Sequence, residues 1–329
     1  MSERLATPHS RRTHRRLAVA TAGAALIATL VPALVAQSSA SRPAPTPTTR
    51  AILCSVTPVY LLAQRVAGQT PGVSVELLLN PNAGCPHGYS LSPAERRKLE
   101  TADIVLTIGL GLETFLDPVR AQVNARFVEL GTACRTLDAD HACDHNHDHA
   151  AHDHAISRNP HVWMSPAEMI RMTERLTQAL VELDPLRRAD YERNGAAYVE
   201  QLNALAAEIA ALAARCANRK VAAPEAFAYL TRDLKLDVVT TLPGHEGEDL
   251  APRDLGEQIR KIRAAAVDAI ICERGAADRV PRQLARETGV ALLELDALSR
   301  LQKSPPPVDD YEARLRDNLL RLQRALRIQ

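Results

Sequence analysis

The sequence predicts an α/β fold: two parallel-sheet βα lobes joined by a long connecting helix. Three observations predict it. Short apolar, strand-like runs alternate with helical patterns in two separate series. Between the series lies a helical pattern of about 30 residues. At 1.5 Å per residue it would reach roughly 45 Å, longer than a small domain needs. Ahead of it, and of one shorter helix, stands the run CRTLDADHACDHNHDHAAHDHAISRNPHVW, whose alternating His and Asp cannot bury apolar area.

In the first series, residues 51–56 read as a strand, and 58–67 as a helix with proline at its start. Residues 73–79 alternate and begin with valines, as a strand does. A loop rich in Pro, Gly and Asn fills 80–92. The helix at 93–101 has Ser92 as its cap and Glu95 at the third position. Residues 104–108 form a strand, 112–124 a helix interrupted near Pro118, and 126–130 a strand. The helix at 166–182 follows Ser165, a capping residue. The connecting pattern runs over 186–216, with Gly195 as its single mid-helix breaker at a cost of about 1 kcal/mol. The second series places strands at 220–222, 238–241, 269–272 and 291–295. Its helices fall at 225–234, 252–266, 279–288 and 309–328. No internal repeat aligns the two halves residue by residue.

The domain reading is residues 1–40 as a signal peptide, 41–49 as a Pro-rich flexible lead-in, and 50–184 as the N-terminal lobe. Residues 185–216 are the linking helix and 217–329 the C-terminal lobe. Arg11, Arg12, Arg15 and Arg16 precede the apolar stretch 17–36, and Ser38-Ser39-Ala40 offers small residues for cleavage. No Cys follows to carry a lipid anchor. This implies a periplasmic or extracytoplasmic location. Removing that segment takes five Arg and one Glu from 40 basic and 39 acidic residues, leaving 35 and 38. Such a balance does not suit nucleic-acid binding, and no later stretch is apolar enough to span a membrane. Six cysteines in an exported chain make one or more disulfides an expectation.

Within 140–156, His141, His145, His147, His149, His152 and His154 interleave with Asp140, Asp144, Asp148 and Asp153. Imidazole nitrogen backed by carboxylate oxygen is what borderline divalent metals prefer. Two further histidines sit in proline-stiffened turns, His87 in CPHGY and His161 in NPHVW. Both follow strand ends of the first half, where a cleft between two parallel sheets would hold a ligand.

AGCPHGYSLSPAERRKLETADIVLTIGLGLE and NPHVWMSP resemble the first- and second-ligand segments of solute-binding proteins of bacterial zinc and manganese ABC importers. DPLRRADYERNGAAYVEQL resembles the strut between their lobes. PGHEGEDLAPRDLGEQIRKIRAAAVDAIICE and ARETGVALLELDAL resemble their second lobe. A His/Asp-rich loop before the second ligand is the pattern of the zinc branch. The resemblance implies a metal site in the interlobe cleft, with His87, His161 and Asp296 as ligands. At the remaining position it puts Pro224, which has no donor side chain. Glu225, one residue on, is the nearest substitute, with His245 or a water as alternatives. Glu113, Glu273 and Trp163 read as structural.

The implied function is capture of Zn²⁺, with Mn²⁺ as the alternative cargo, and delivery to the membrane permease of an ABC importer. The six loop histidines would be secondary, weak zinc sites, and the protein is expected to act as a monomer. A periplasmic zinc buffer or chaperone with a modified cleft is the other reading. An enzyme is not expected, since no HExxH stands in the chain.

Overall fold

The computed structural model describes residues 49–80, 86, 89–139, 157–243, 250–275, 279–303, 306–307 and 309–328. The expected signal segment, most of the lead-in, the six loop histidines, His87, His245, Cys85 and Cys143 lie outside the described residues. Residues 47–329 form one compact unit.

The first half runs β1 (Arg50–Cys54), α1 (Thr57–Val66), β2 (Val73–Leu77), α2 (Pro93–Thr101), β3 (Ile104–Thr107), α3 (Asp117–Arg120) and β4 (Arg126–Glu129). Its sheet is parallel, in the order β2-β1-β3-β4. Two helices follow, α4 (Pro166–Leu183) and α5 (Arg188–Cys216). The second half runs β5 (Lys220–Pro224), α6 (Ala228–Asp233), β6 (Asp237–Leu242), α7 (Pro252–Ala265), β7 (Ala269–Glu273), α8 (Arg279–Thr288), β8 (Ala291–Leu295) and α9 (Asp310–Ala325). Its sheet is parallel too, in the order β6-β5-β7-β8. The predicted fold class is what the chain adopts.

The two sheets share more than strand order. At the foot of the first, Asp103 accepts from Ala51 N at 2.7 Å and pairs with Arg50 at 3.3 Å. At the foot of the second, Asp268 accepts from Lys220 N at 2.7 Å and pairs with Arg219 at 3.2 Å. On the edge strands, Glu129 pairs with Arg120 at 2.8 Å and Glu294 with Arg282 at 2.7 Å. The halves are therefore built to one plan, which the sequence alone did not display.

Local chemistry sets several boundaries. Ser92 accepts from Glu95 N while the Glu95 carboxylate accepts from Ser92 N, the reciprocal cap expected for α2. The predicted helix at 112–124 shrinks to a 3-10 turn (Thr114–Leu116) and the four-residue α3. Pro118 has no N–H to continue a helix already begun. The predicted helix at 225–234 likewise opens as a 3-10 turn, Glu225–Phe227. Pro224 ends β5 rather than preceding a helix, since its extended backbone (φ −64°, ψ 153°) still pairs with Leu242 of β6.

The buried residues of α5 fall at Tyr191, Gly195, Tyr198, Leu202, Leu205, Ile209, Leu212 and Cys216, with Ala213 beside them. Steps of four and three keep one apolar seam along the helix. That seam faces a single core that runs from β1 and α1 through α4 and α5 into Val221, Tyr229, Ile271 and Leu295 of the second half. Alternate strand residues, Ala222 and Ile270, point to a smaller core under α7 and α8.

The disulfide expectation is corrected for four cysteines: Cys54, Cys134, Cys216 and Cys272 stand in no disulfide. Burial pushes the Cys54 thiol upward and Cys134 up to about 12, so neither is a ready thiolate. No helix of the described residues is long and apolar enough to cross a membrane.

Candidate metal centre

His161 opens a 3-10 turn (Val162–Met164) just before α4. Its position is set by Asn159, a wholly buried side chain. The Asn159 amide nitrogen donates to the Glu225 carbonyl at 3.0 Å, and its oxygen accepts from His161 N at 2.9 Å. Those two bonds fix which end of the amide is oxygen. The same oxygen lies 3.0 Å from His161 Nδ1, so Nδ1 must carry the proton and donate. In the neutral ring the lone pair then belongs to Nε2, the nitrogen a metal would use. Behind the ring stands Trp163, with centroids 5.1 Å apart.

Trp163 joins the two halves, as its reading as a packing anchor requires. Its indole N–H donates to the Ala297 carbonyl at 2.8 Å, and its own carbonyl accepts from Tyr311 OH at 2.8 Å. A cavity of about 40 Å³ opens beside it, lined by Val56, Thr57, Leu79, Pro86, Trp163 and Ser299 among others. Both halves contribute, and Pro86 directly precedes His87. The space accommodates only a few water-sized bodies.

Asp296 follows β8 and is 8% exposed. Its carboxylate is already occupied. Arg314 of α9 grips it with Nη2 on Oδ1 at 2.7 Å and Nε on Oδ2 at 3.0 Å. Arg274 donates at 2.8 Å, Gln302 at 2.6 Å and Leu298 N at 2.8 Å. A carboxylate offers about four lone-pair sites, and these donors fill them. Burial alone would raise the Asp296 pKa, but Arg314 and the other donors hold it below the ordinary value. A cation does sit on this acid, and it is a guanidinium.

Pro224 and Glu225 stand at the head of β5, where the strand order of the second sheet reverses. They line a second cavity of about 360 Å³ together with Leu137, Asp138, Asn159, Thr231, Arg232 and Thr241. This cavity lies against the feet of the 140–156 segment. There Asn159 N donates to Leu137 O and Ala139 N to Ser157 O, both at 2.9 Å, and Arg158 pairs with Asp138. Tyr229 OH donates to Asn159 O at 2.7 Å and accepts from Leu137 N at 3.0 Å.

The structure thus ties the His161 turn to Glu225 through Asn159 and the Trp163 turn to Ala297 beside Asp296. Among the described residues no three His, Cys, Asp or Glu side chains form a metal-sized cluster. His87 and His245 lie outside the described residues. Glu113 bonds loop amides, as its reading requires. It accepts from Ser55 OH at 2.7 Å, Ile108 N at 2.8 Å and Gly109 N at 2.9 Å. Glu273 accepts from Ser299 OH at 2.8 Å. Sequence reasoning missed Asn159, Tyr229 and Arg314. Asn159 was visible in NPHVW as a turn former, but its reach to Glu225 spans 66 positions and leaves no local signal.

A family model described as zinc-uptake complex component A, periplasmic, matches residues 52–325. The chain belongs to this family. Zinc-uptake component A proteins are solute-binding proteins of metal importers and work outside the cytoplasm, so the resemblance read from the ligand segments holds. The iron-binding protein YfeA of Yersinia pestis is 27% identical over 266 residues, which cover 78% of this chain and 80% of YfeA. The zinc-binding lipoprotein AdcA of Streptococcus pneumoniae serotype 4 is 26% identical over 279 residues, 83% of this chain. The chain spans 55% of that relative's length. Among solved structures, the SBP FpvC of Pseudomonas aeruginosa in complex with Mn²⁺ superposes with a TM-score of 0.73 at 24% identity, covering 85% of this chain and 99% of FpvC. A crystal structure of ZnuA gives 0.69 at 24% identity, covering 85% of this chain and all of that one. At these identities the likeness shows the fold.

Proposed function

We propose that this protein captures a divalent transition metal, zinc in the first place, between its two lobes and delivers it to the membrane permease of an ABC importer. Residues 1–40 direct its export. His87 and His161 supply imidazole nitrogens from the first half. Glu225 and Asp296 are the donors offered from the second half, Asp296 on giving up the arginine contacts that fill its carboxylate in the metal-free protein. The observation that carries the reading is the Asn159 lock, which presents His161 through Nε2 and stiffens its ring. Zinc accepts such nitrogen and oxygen donors in tetrahedral geometry without ligand-field preference. The six histidines of the 140–156 segment form separate, weaker sites that raise the local zinc concentration.

Titration calorimetry of the purified protein with zinc and with manganese tests this. One tight zinc site and several weak ones are expected, and deletion of 140–156 should remove only the weak ones. His87→Ala and His161→Ala should each weaken the tight site by at least the 10- to 100-fold typical of a lost supporting group. Wild-type affinity in both variants would sink the cleft assignment. Occupation of Asp296 by arginine favours a second reading, a zinc buffer whose cleft binds no more tightly than the loop. A single class of weak sites would support that reading over transport.

A further inference from the structure

We infer that Asn159 is the positioning residue of His161 and that it makes the geometry of this ligand depend on the second lobe remaining seated. The inference rests on reading His161 as a metal ligand, and it adds the means by which the metal is let go. One amide performs two tasks. Its oxygen takes both the His161 backbone N–H and the ring Nδ1–H, and its nitrogen holds the Glu225 carbonyl at the head of the second lobe. The side chain is wholly buried, so no bulk water can replace either bond.

The backbone of Asn159 is pinned by the same lobe, because Tyr229 of α6 donates to its carbonyl at 2.7 Å. The Tyr229 oxygen in turn accepts from Leu137 N. Moving the second lobe away therefore breaks the bonds to Glu225 and Tyr229 together. The amide is then free to turn, its nitrogen can face the ring, and the constraint that keeps the proton on Nδ1 is lost. A histidine that has lost its orienting partner binds metal more weakly. Seated lobes hold the ligand ready, and parted lobes release it. A permease that separates the lobes would lower the affinity without touching the ligand itself.

The test is nitrogen-15 NMR of the imidazoles in the metal-free protein at pH 8, with zinc affinity and dissociation rate measured on the same samples. His161 is assigned by its loss in His161→Gln. In the wild type, Nδ1 is expected to be protonated and Nε2 bare. Asn159→Ala removes the acceptor. A mixture of tautomers is expected, with zinc affinity about 10- to 100-fold lower. Asn159→Asp keeps an acceptor for the ring but sets a carboxylate oxygen against the Glu225 carbonyl. It should keep the tautomer while zinc leaves about tenfold faster, within the same range.

A wild-type ring protonated on Nε2, or an unchanged tautomer in Asn159→Ala, overturns the positioning role. An unchanged dissociation rate in Asn159→Asp overturns the coupling to the second lobe. If Asn159→Ala does not fold, as circular dichroism would show, the wild-type tautomer and the Asn159→Asp rate still decide. Unchanged zinc affinity in His161→Gln, beside an Asn159-dependent tautomer, would remove the metal reading and leave the positioning intact.

Discussion

At Asp296 two guanidinium groups meet one buried carboxylate, and this sets what a substitution does. Asp296→Asn takes from Arg314, itself 6% exposed, one of its two buried counter-charges and leaves only Asp310, at 3.0 Å. Removing one partner of a buried pair costs about 3–5 kcal/mol. Urea unfolding should show a loss of that order, whereas a pure metal ligand would leave the metal-free protein nearly unchanged. The folded pKa lies below the ordinary 3.8. The stabilisation is therefore complete above about pH 4. It disappears as acid protonates the group, and the gap between wild type and variant should close there. Glu113 behaves in the opposite sense. Burial raises its pKa to about 7, against the pull of Ser55, Ile108 and Gly109. The folded state then holds a proton that the unfolded state has released, and stability from this group grows as pH falls from about 7 toward 4.5. Wild type should gain on Glu113→Gln by on the order of 2–3 kcal/mol between pH 8 and pH 5. A constant difference in unfolding free energy across that range would show that the carboxyl stays ionised.

At the scale of elements, Gly195 is where sequence and structure pull in opposite directions. Helix propensity favours alanine there by about 1 kcal/mol. In the structure a Cβ at Gly195 would stand 2.3 Å from Thr177 Oγ1 and 3.3 Å from its Cβ, because α4 packs directly against α5. The clash wins, since overpacking costs about 1–3 kcal/mol. Gly195→Ala should lower the melting temperature, and Thr177→Ala in the same chain should recover most of it. A single alanine that raises the melting temperature would mean that the helices can move apart. Much of the element order was legible in the chain. Apolar runs at 104–108 and 269–272 and the caps at Ser92 and Ser165 are local signals, and the structure follows them. Where a helix opens was less legible, since Pro118 and Pro224 each shift the start through backbone geometry. The site was half legible. His161 announces itself in its turn, but the Arg314 grip on Asp296 spans 18 positions, and the pattern of α9 shows only an amphipathic face.

At the scale of the molecule, α9 belongs to both halves. Asn318 exchanges two bonds with the backbone of Asp296, at 2.8 and 2.7 Å. Glu312 pairs with Arg65 of α1 at 2.9 Å, and Arg316 with Glu208 of α5 at 2.8 Å. The core is also continuous through both sheets. The full chain should therefore unfold in one calorimetric transition. Deleting 309–329 should split it into two, one for each sheet. One transition in the truncated chain would show that α5 and the shared core suffice without the strap.

The ion pair between Arg65 and Glu312 closes a span of 247 residues. A chain synthesised from its N-terminus has both sheets in hand well before that partner exists. Each sheet pairs strands that are near in sequence, but the seam between them waits for α9. Until then the apolar faces of α1 and α5 have no final cover, and incomplete chains of this kind are the ones that aggregate or are held by chaperones. The timing of assembly is thus set by α9. It is α9 that joins two finished sheets through one core.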